Sequence, residues 1–340
     1  MVTGGSSGLQ MAPPPSCEAR PADTPRTILL RSGRHQGGSI APRAGETLAT
    51  SVSQVQAAIF GALSGSLFAL MALGLSMVWG FLKVINLAHF GMVLLGGYLT
   101  VDLATGLGLG PVTTVVITVP LLFLMGAAIQ AGYERFNVSE LNSLLISYGI
   151  LIITVQVVTN IWTADFQRMS PEVNPLAGHS VTVGPFVFPA PTLLAAGCGV
   201  VLVVLANFVL ERTYAGRALQ AFGQDREIAS AFGIDHRTLG LVLAGAAGAS
   251  AAIAGMLFAV GEPLTPDAPF EWIGRVFAIV ILGGIGNVTG TLYAGMLVGA
   301  ISGVVALNWS PSASPLVVFS LVVLALVFRP HGLFLRKAGH

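Results

Sequence analysis

Long apolar segments, separated by short polar stretches, follow one another from residue 51 almost to the end of the chain. A helix that crosses a membrane needs roughly 20 mostly apolar residues in succession. The segments of this kind are 57–82, 85–104, 111–132, 141–162, 190–210, 238–260 and 314–329. The pattern predicts an all-α, polytopic bundle of transmembrane helices with about eight or nine membrane segments.

A further pair of apolar segments, 273–286 and 288–307, meets at "GGIGNVTG". The first member looks short for a complete crossing. Helices interrupted by glycine at membrane depth are tolerated where the backbone is buried in protein or lines a cavity. We therefore expect a broken or re-entrant element packed inside the bundle.

The overall composition agrees with a membrane protein. Hydrophobic residues make up 54% of the chain and charged residues only 9%, whereas a soluble domain carries about a quarter charged residues. The formal net charge of +1 argues against a nucleic-acid partner. Two cysteines, Cys17 and Cys198, provide neither a disulfide framework nor a metal site.

The first 50 residues differ from the rest. They are rich in Pro, Gly, Ser and Arg and lack the apolar core of a signal peptide. We expect 1–50 to be a disordered, basic tail, which either touches anionic lipid or reflects a wrongly assigned start, and 51–335 to be the transmembrane domain.

Lysine and arginine set the expected orientation. The loop 211–237 and the C-terminus are rich in arginine, whereas the loop 163–189 carries only Arg168. The positive-inside rule places 211–237 and the C-terminus in the cytoplasm and 163–189 outside. A cytoplasmic N-terminus would then require 57–82 and 85–104 to count as one crossing, and the sequence leaves this open.

Small residues predict close helix packing. Gly61 and Gly65 lie four residues apart, as do Gly295, Gly299 and Gly303. Such faces let helix backbones approach closely in a membrane. In the outer loop, "HSVTVGPFVFPAP" alternates and turns like a short hairpin. The hairpin is either a lid or docking surface or a plain connector.

The stretch 216–238, "GRALQAFGQDREIASAFGIDHRT", interrupts the apolar sequence with an amphipathic pattern. Apolar residues recur at helical spacing among charged ones: Ala218, Leu219, Phe222, Ile228, Ala229, Phe232 and Ile234. Gly233 ends one helix, and "IDHRT" begins the next. Because acidic side chains balance the arginines, a groove in another protein is favoured over the lipid interface as the surface that covers the apolar side.

Four stretches carry a resemblance to a known family. "DREIASAFGI" resembles the EAA-type signature of ABC importer permeases, with Ile228 where that signature has alanine. The stretches 72–99, 275–299 and 324–334 resemble the H-type permease subunit of high-affinity branched-chain amino acid importers, which are related to urea and amide permeases. The similarity covers nearly all of 52–335 in the same order and spacing.

The resemblance implies a division of labour in a bacterial inner membrane. A second, related permease, two ATPase subunits and an external substrate-binding protein are the expected partners. The signature residues expected to contact the ATPase are Glu227, Ala229, Gly233 and Ile234, with Asp225 and Arg226 flanking them. Neither of the chain's lysines, Lys83 and Lys337, lies in a phosphate-binding loop. We therefore expect no catalytic residue and no cofactor in this chain, with ATP and Mg²⁺ bound by partner subunits.

Polar residues inside the apolar segments are candidates for the translocation pathway. Asn86 and His89 lie three residues apart, on one helix face, near the start of 85–104. They either line the pathway, hydrogen-bond between helices or, less readily, relay protons. Asn287 and Thr289 offer polar groups to substrate or cap the half-helices. Arg275 is expected at the outer interface, paired with Glu271 or Glu262.

Other transport classes fit the sequence less well. An ion-coupled secondary transporter would need paired membrane carboxylates, and the one acid within a candidate segment is Asp102. A passive channel would give the amphipathic stretch 216–238 no purpose. The substrate of an importer of this family is a small polar solute, with branched-chain or other amino acids favoured over urea and short amides.

Overall fold

The computed structural model describes residues 44–224, 229 and 235–328, all within one unit of the chain. Its helices, numbered here in chain order, are α1 (Ala44–Met77), α2 (Ala88–Leu107), α3 (Pro111–Arg135), α4 (Glu140–Trp162), α5 (Ala190–Arg212), α6 (Tyr214–Gln224), α7 (His236–Gly261), α8 (Ala268–Gly283), α9 (Val288–Asn308) and α10 (Ser314–Phe328). A π-helix, Val78–Leu82, continues α1, and a 3₁₀ turn, Pro311–Ala313, precedes α10.

The predicted all-α bundle is confirmed. Within the described residues, eight helical stretches are long and apolar enough to cross a membrane. The predicted pair 273–286 and 288–307 corresponds to two helices of the structure, the short α8 and the longer α9. The helix α1 begins at Ala44, so the end of the predicted tail is helical, because "AGETLA" contains good helix formers and no proline.

The helices α1 and α9 run antiparallel in close contact through the predicted glycines. Gly61 faces Gly299, and Gly65 faces Gly295. A Cβ added to Gly65 would lie 2.9 Å from the Gly299 Cα atom, which is closer than side-chain atoms approach one another. These positions must therefore stay glycine if the two backbones are to keep their distance.

The helix α7 lies at the centre of the bundle. Its small residues admit two neighbours: Gly255 contacts α2 at Gly97, and Gly248 contacts α3 at Leu122. In contrast, α3, α4 and α10 expose most of their apolar side chains. An apolar surface of this extent is expected where helices face lipid or a partner permease.

Two ends of the bundle can be distinguished. At one end, which we call the hairpin face, the strands β1 (Ser180–Val183) and β2 (Phe186–Pro189) form the predicted antiparallel hairpin. Gly184 has a φ of 60° in its turn, a conformation that favours glycine. At the opposite end, the α6 face, α6 packs beside the π-helix, where Phe81 lies next to Gly223.

The first two helices both cross the bundle. Gln56, in α1, donates a hydrogen bond to the Val187 carbonyl of β2 (3.4 Å), so the N-terminal part of α1 lies at the hairpin face. The π-helix ends α1 at the α6 face, and α2 returns, with the Tyr98 hydroxyl 3.5 Å from the Leu264 carbonyl. Leu264 is itself bridged to Gln167 in the loop that carries the hairpin. Of the two possibilities that the sequence left open, the structure therefore favours two separate crossings.

Candidate functional site

The start of α2 lies inside the bundle, and Asn86 precedes it. Residues 83–86 are irregular, so the expectation that Asn86 and His89 share a helix face is wrong. The Asn86 Oδ1 atom accepts a hydrogen bond from the Ala88 backbone N–H (3.1 Å). Ser147 of α4 completes this turn, because its Oγ atom accepts from the Leu87 N–H (3.0 Å). Both side chains thus satisfy backbone groups that the helix start leaves free.

His89 is fully buried and contacts α1. Its Nε2 atom lies 2.9 Å from the Met71 carbonyl oxygen, so Nε2 carries the proton in this contact. Gly74 makes room for the ring, since a Cβ there would lie 2.6 Å from the His89 Cε1 atom. The Nδ1 atom has no hydrogen-bond partner among the described residues.

The break between α8 and α9 lies near the α6 face and is held by polar side chains. Gly284 and Gly286 have φ values of 87° and 80°, which only glycine adopts easily. The Asn287 Oδ1 atom accepts from the Gly290 N–H (2.9 Å) and caps α9. The Thr289 hydroxyl lies 3.4 Å from the Asn207 Oδ1 atom of α5.

Ser76 connects this break to α1. Its Oγ atom accepts from the Gly286 N–H (3.1 Å) and lies 3.4 Å from the Thr291 hydroxyl. Gly80 and Gly286 also meet with their backbones in contact. In this conformation the four predicted pathway residues make structural contacts around the C-terminal half of α1. They are Asn86, His89, Asn287 and Thr289. A role in translocation stays a prediction for each of them.

The helix α6 is amphipathic, as predicted, but its apolar face is covered by the chain itself. Ala218, Leu219 and Phe222 are buried. Gly216 contacts the backbone of Leu210 at the end of α5, and the Phe222 ring stacks on His236 with an interplanar angle of 4°. The expectation that a groove in another protein covers this face is therefore wrong for the described part of the stretch.

The structure describes only one residue of the EAA-type signature, Ala229. Asp225, Arg226, Glu227, Gly233 and Ile234 lie outside the described residues. Ala229 is described and is 3% exposed, so its side chain points into the chain rather than towards a surface. The next helix begins where the sequence predicts, because Asp235 caps α7 by accepting from the Arg237 N–H (3.0 Å). The hydrogen bond from Thr238 is the main cause that lowers the pKa of the Asp235 carboxyl.

A cavity of about 520 Å³ opens beside α6 at the same face. It is lined by the end of α3 and the start of α7, where Arg237 and Glu134 form an ion pair (3.7 Å). Phe222 of α6 forms another part of its wall. The cavity places charged and apolar groups together at the face that carries the signature stretch.

Two charged residues near the hairpin face form a second polar region. Arg275 is half-buried, about 10 Å along α8 from its first residue, and its guanidinium carbon lies 4.5 Å from the centre of the Phe68 ring. The ion pair predicted between Arg275 and Glu271 or Glu262 is not formed, since the described residues contain just the Arg237–Glu134 pair. Arg275 and Glu262, which the sequence suggested as partners, line one cavity without forming an ion pair. Sequence reasoning missed the cavity itself, because residues of four different helices form its wall.

Comparison with known proteins gives the family. The family model of the permease component of branched-chain amino acid transport systems matches residues 57–326. The high-affinity branched-chain amino acid transport system permease protein BraD of Pseudomonas aeruginosa is 24% identical over 83% of this chain and 96% of its own length. The corresponding LivH protein of Escherichia coli K12 is 26% identical over 81% and 94%, respectively.

A third relative matches a shorter part of the chain. The LivM permease protein of Escherichia coli K12 is 31% identical over 39% of this chain and 32% of its own length. No solved structure matches the chain. The family match takes in nearly all of the described bundle, from α1 into α10, and agrees with the multi-pass fold. The chain therefore belongs to the family of permease components of branched-chain amino acid transport systems, and it is a membrane-spanning transporter subunit.

Proposed function

We propose that this chain is one of two permease subunits of an ATP-binding-cassette importer that takes up branched-chain amino acids. The observation that carries the proposal is the family match over 57–326, together with relatives of that printed function that align over 94–96% of their length. The partial match to a second kind of permease protein, LivM, supports pairing with a related but different permease.

The α6 face is the cytoplasmic side in this proposal. Of the seven basic residues that the structure describes, five lie at this end: Lys83, Arg135, Arg212, Arg217 and Arg237. Arg168 lies in the loop at the hairpin face, and Arg275 lies within the bundle. The excess of positive charge marks the cytoplasmic side of a membrane protein. The C-terminus, after α10, is then cytoplasmic, and a substrate-binding protein docks on the hairpin face.

Two ATPase subunits bind the α6 faces of the two permeases and hold the ATP and Mg²⁺. Asp225, Arg226, Glu227, Gly233 and Ile234 supply the contacts in this chain. Ala229 is buried and is therefore the member of the signature least available to a partner subunit. The packing of α6 on α5 and on the π-helix supports a mechanical link, since a displacement of α6 would be passed through the π-helix to α1.

The proposal is tested by purification and by uptake. Affinity purification of the chain from its native membrane in mild detergent should recover an ATPase, a second permease and a binding protein, identified by mass spectrometry. Deletion of the chain should abolish ATP-dependent uptake of L-leucine, and Glu227→Lys should abolish uptake while the chain still inserts. Recovery of the chain alone would contradict the importer assignment, and uptake of urea in place of leucine would replace the substrate.

A further inference from the structure

The cavity that contains Arg275 and Glu262 lies between α1, α5, α7 and α8, in the half of the bundle near the hairpin face. Its volume is about 320 Å³, at the lower end of the range of roughly 300–1,000 Å³ for small-molecule sites. Leu67, Phe68, Ala195, Leu257 and Phe258 form an apolar wall. The lining also contains two opposite charges and two hydroxyls, of Ser64 and Thr192.

Arg275 is held so that part of its guanidinium group stays available. Its guanidinium carbon lies over the Phe68 ring, 4.5 Å from the ring centre, and Phe68 meets Phe258 edge to face with the ring centres 6.5 Å apart. Trp272 supports Phe258 from α8 at 4.7 Å. Stacking on an aromatic ring occupies the face of a guanidinium and leaves its N–H edge free to bind a carboxylate with two parallel hydrogen bonds.

Glu262 lies at the mouth of the same cavity. It directly follows α7, where its backbone N–H donates to the Phe258 carbonyl (2.8 Å). Its side chain lines this cavity and also a larger one, of about 710 Å³, beneath the hairpin loop. The partial burial of the carboxyl raises the pKa of Glu262. The acid is thus placed between the outer cavity and the deeper position of Arg275.

We propose that this cavity is a substrate subsite that holds a zwitterionic α-amino acid with an apolar side chain. The carboxylate of the amino acid binds Arg275, its ammonium binds Glu262, and its side chain packs on the apolar wall. Neither residue forms an ion pair within the described part of the chain, Glu262 keeps access to solvent, and Arg168 and Glu271 act on Glu262 and Arg275, respectively, only at longer range. Both charges are therefore available to an oppositely charged group of a ligand. An uncharged solute such as urea would leave both unpaired. This subsite rests on the proposed function.

Protection of an introduced cysteine tests the subsite in the intact complex. Ser64, on the cavity wall, is replaced by cysteine in a chain whose own cysteines are changed (Cys17→Ser, Cys198→Ser). Membranes that contain the full importer are treated with a charged methanethiosulfonate reagent, with and without L-leucine. Leucine should slow the labelling. If the Ser64→Cys chain does not insert, Thr192→Cys, on another part of the cavity wall, is used as the labelling site instead.

Charge variants then test which residue binds the carboxylate of the ligand and which binds its ammonium group. In Arg275→Gln and Glu262→Gln, the leucine concentration for half-protection should rise at least about tenfold, as expected when a charge-assisted hydrogen bond is lost. Arg275→Lys should lie in between, because it keeps the charge and loses the paired donors. Glu140→Gln, an exposed acid at the start of α4, is the matched control and should leave protection unchanged.

Two leucine analogues sharpen the assignment. 4-Methylpentanoate has no ammonium group, and its protection should depend on Arg275 and not on Glu262. 3-Methylbutan-1-amine has no carboxylate and should show the reverse. Equal protection in all variants would overturn the roles of Arg275 and Glu262. Leucine uptake without any protection would overturn the subsite and leave the proposed function intact, whereas the absence of leucine uptake by the unmodified chain would overturn the proposed function itself.

Discussion

The polar residues of the bundle fall into two regions that differ in how their hydrogen-bonding capacity is used. Near the α6 face, Asn86 and Asn287 cap helix starts, and His89 bonds to a backbone carbonyl of α1. Near the hairpin face, Arg275 and Glu262 line a cavity and form no ion pair within the described residues. The first region uses its hydrogen-bonding groups on the backbone of the bundle, whereas the charges of the second are the groups that bind a ligand in the subsite proposed above.

This difference shows that a polar residue inside a membrane bundle does not by itself indicate a translocation pathway. A broken helix exposes backbone groups that cost several kcal/mol each in hydrocarbon if left unpaired, so side chains such as Asn287 are needed for the fold alone. A charge that is half-buried without an opposite charge costs stability and is retained for another reason. Arg275 forms no ion pair among the described residues and lies against Phe68, with Glu271 acting on it only at longer range, whereas Asn287 caps a helix.

The largest expected effect comes from disturbing α1, which contacts both regions through Ser76 and Phe68. Gly65→Leu should prevent folding, because the side chain would collide with the α9 backbone, where Gly299 Cα lies 2.9 Å from a Cβ placed at Gly65. We expect destabilisation at or above the upper end of the roughly 1–3 kcal/mol typical of overpacking. The amount of inserted chain after mild-detergent extraction, measured by fluorescence-detected chromatography, checks this.

The control for that substitution is Gly149→Leu in α4. Nothing lies within 4 Å of a Cβ at Gly149, so the larger side chain should be accepted and the chain recovered in full. If Gly65→Leu yields as much folded chain as Gly149→Leu, the close contact between α1 and α9 is not essential, and the two regions do not share one rigid helix.

A smaller effect is expected from Asn287→Ala. Loss of the cap to the Gly290 N–H should lower stability by about 1 kcal/mol, seen as a lower midpoint of thermal unfolding in detergent. Asn287→Ser keeps a capping oxygen and should recover most of this loss. Transport per folded molecule should stay near that of the unmodified chain in both variants. A strong loss of transport at unchanged stability would instead support the pathway role and remove the contrast between the regions.

Much of the fold was predictable because its signals are local. An apolar run of about 20 residues specifies a crossing helix whatever surrounds it, and seven such segments overlap helices of the structure. The break at "GGIGNVTG" and the hairpin turn at Gly184 were also predicted, since glycine marks backbone conformations that other residues avoid. The glycines of α1 and α9 indicated close packing, although their pairing needed the structure.

The contacts of α6 and of the site could not be predicted in the same way. Helical periodicity shows that Leu219 and Phe222 share an apolar face, but it does not show which surface covers that face. The sequence suggested Glu262 as a partner of Arg275, but the cavity that both residues line depends on how α7, α8 and α1 meet, and no spacing in the sequence encodes it. Asn86 was misplaced because an apolar run does not reveal that the first residues of 85–104 are not helical.

The smallest expected effect is a shift in the pH dependence of uptake. Partial burial raises the pKa of Glu262, and the ionised carboxylate is the form that binds an ammonium group. As pH falls, Glu262 is protonated at a higher pH than a glutamate with the ordinary pKa, so leucine uptake should decline at a correspondingly higher pH. The other titratable or charged side chains of its two cavities are Arg168, His179 and Arg275.

The variant Glu262→Gln separates this acid from the others. Its residual uptake should be low and should lack the decline on the acid side, while Glu140→Gln should keep the profile of the unmodified chain. Because His179 lines only the outer cavity, His179→Gln should also keep the decline. If the decline instead follows His179, the cavity beneath the hairpin loop controls entry of the substrate, and Glu262 is not the group that binds its ammonium.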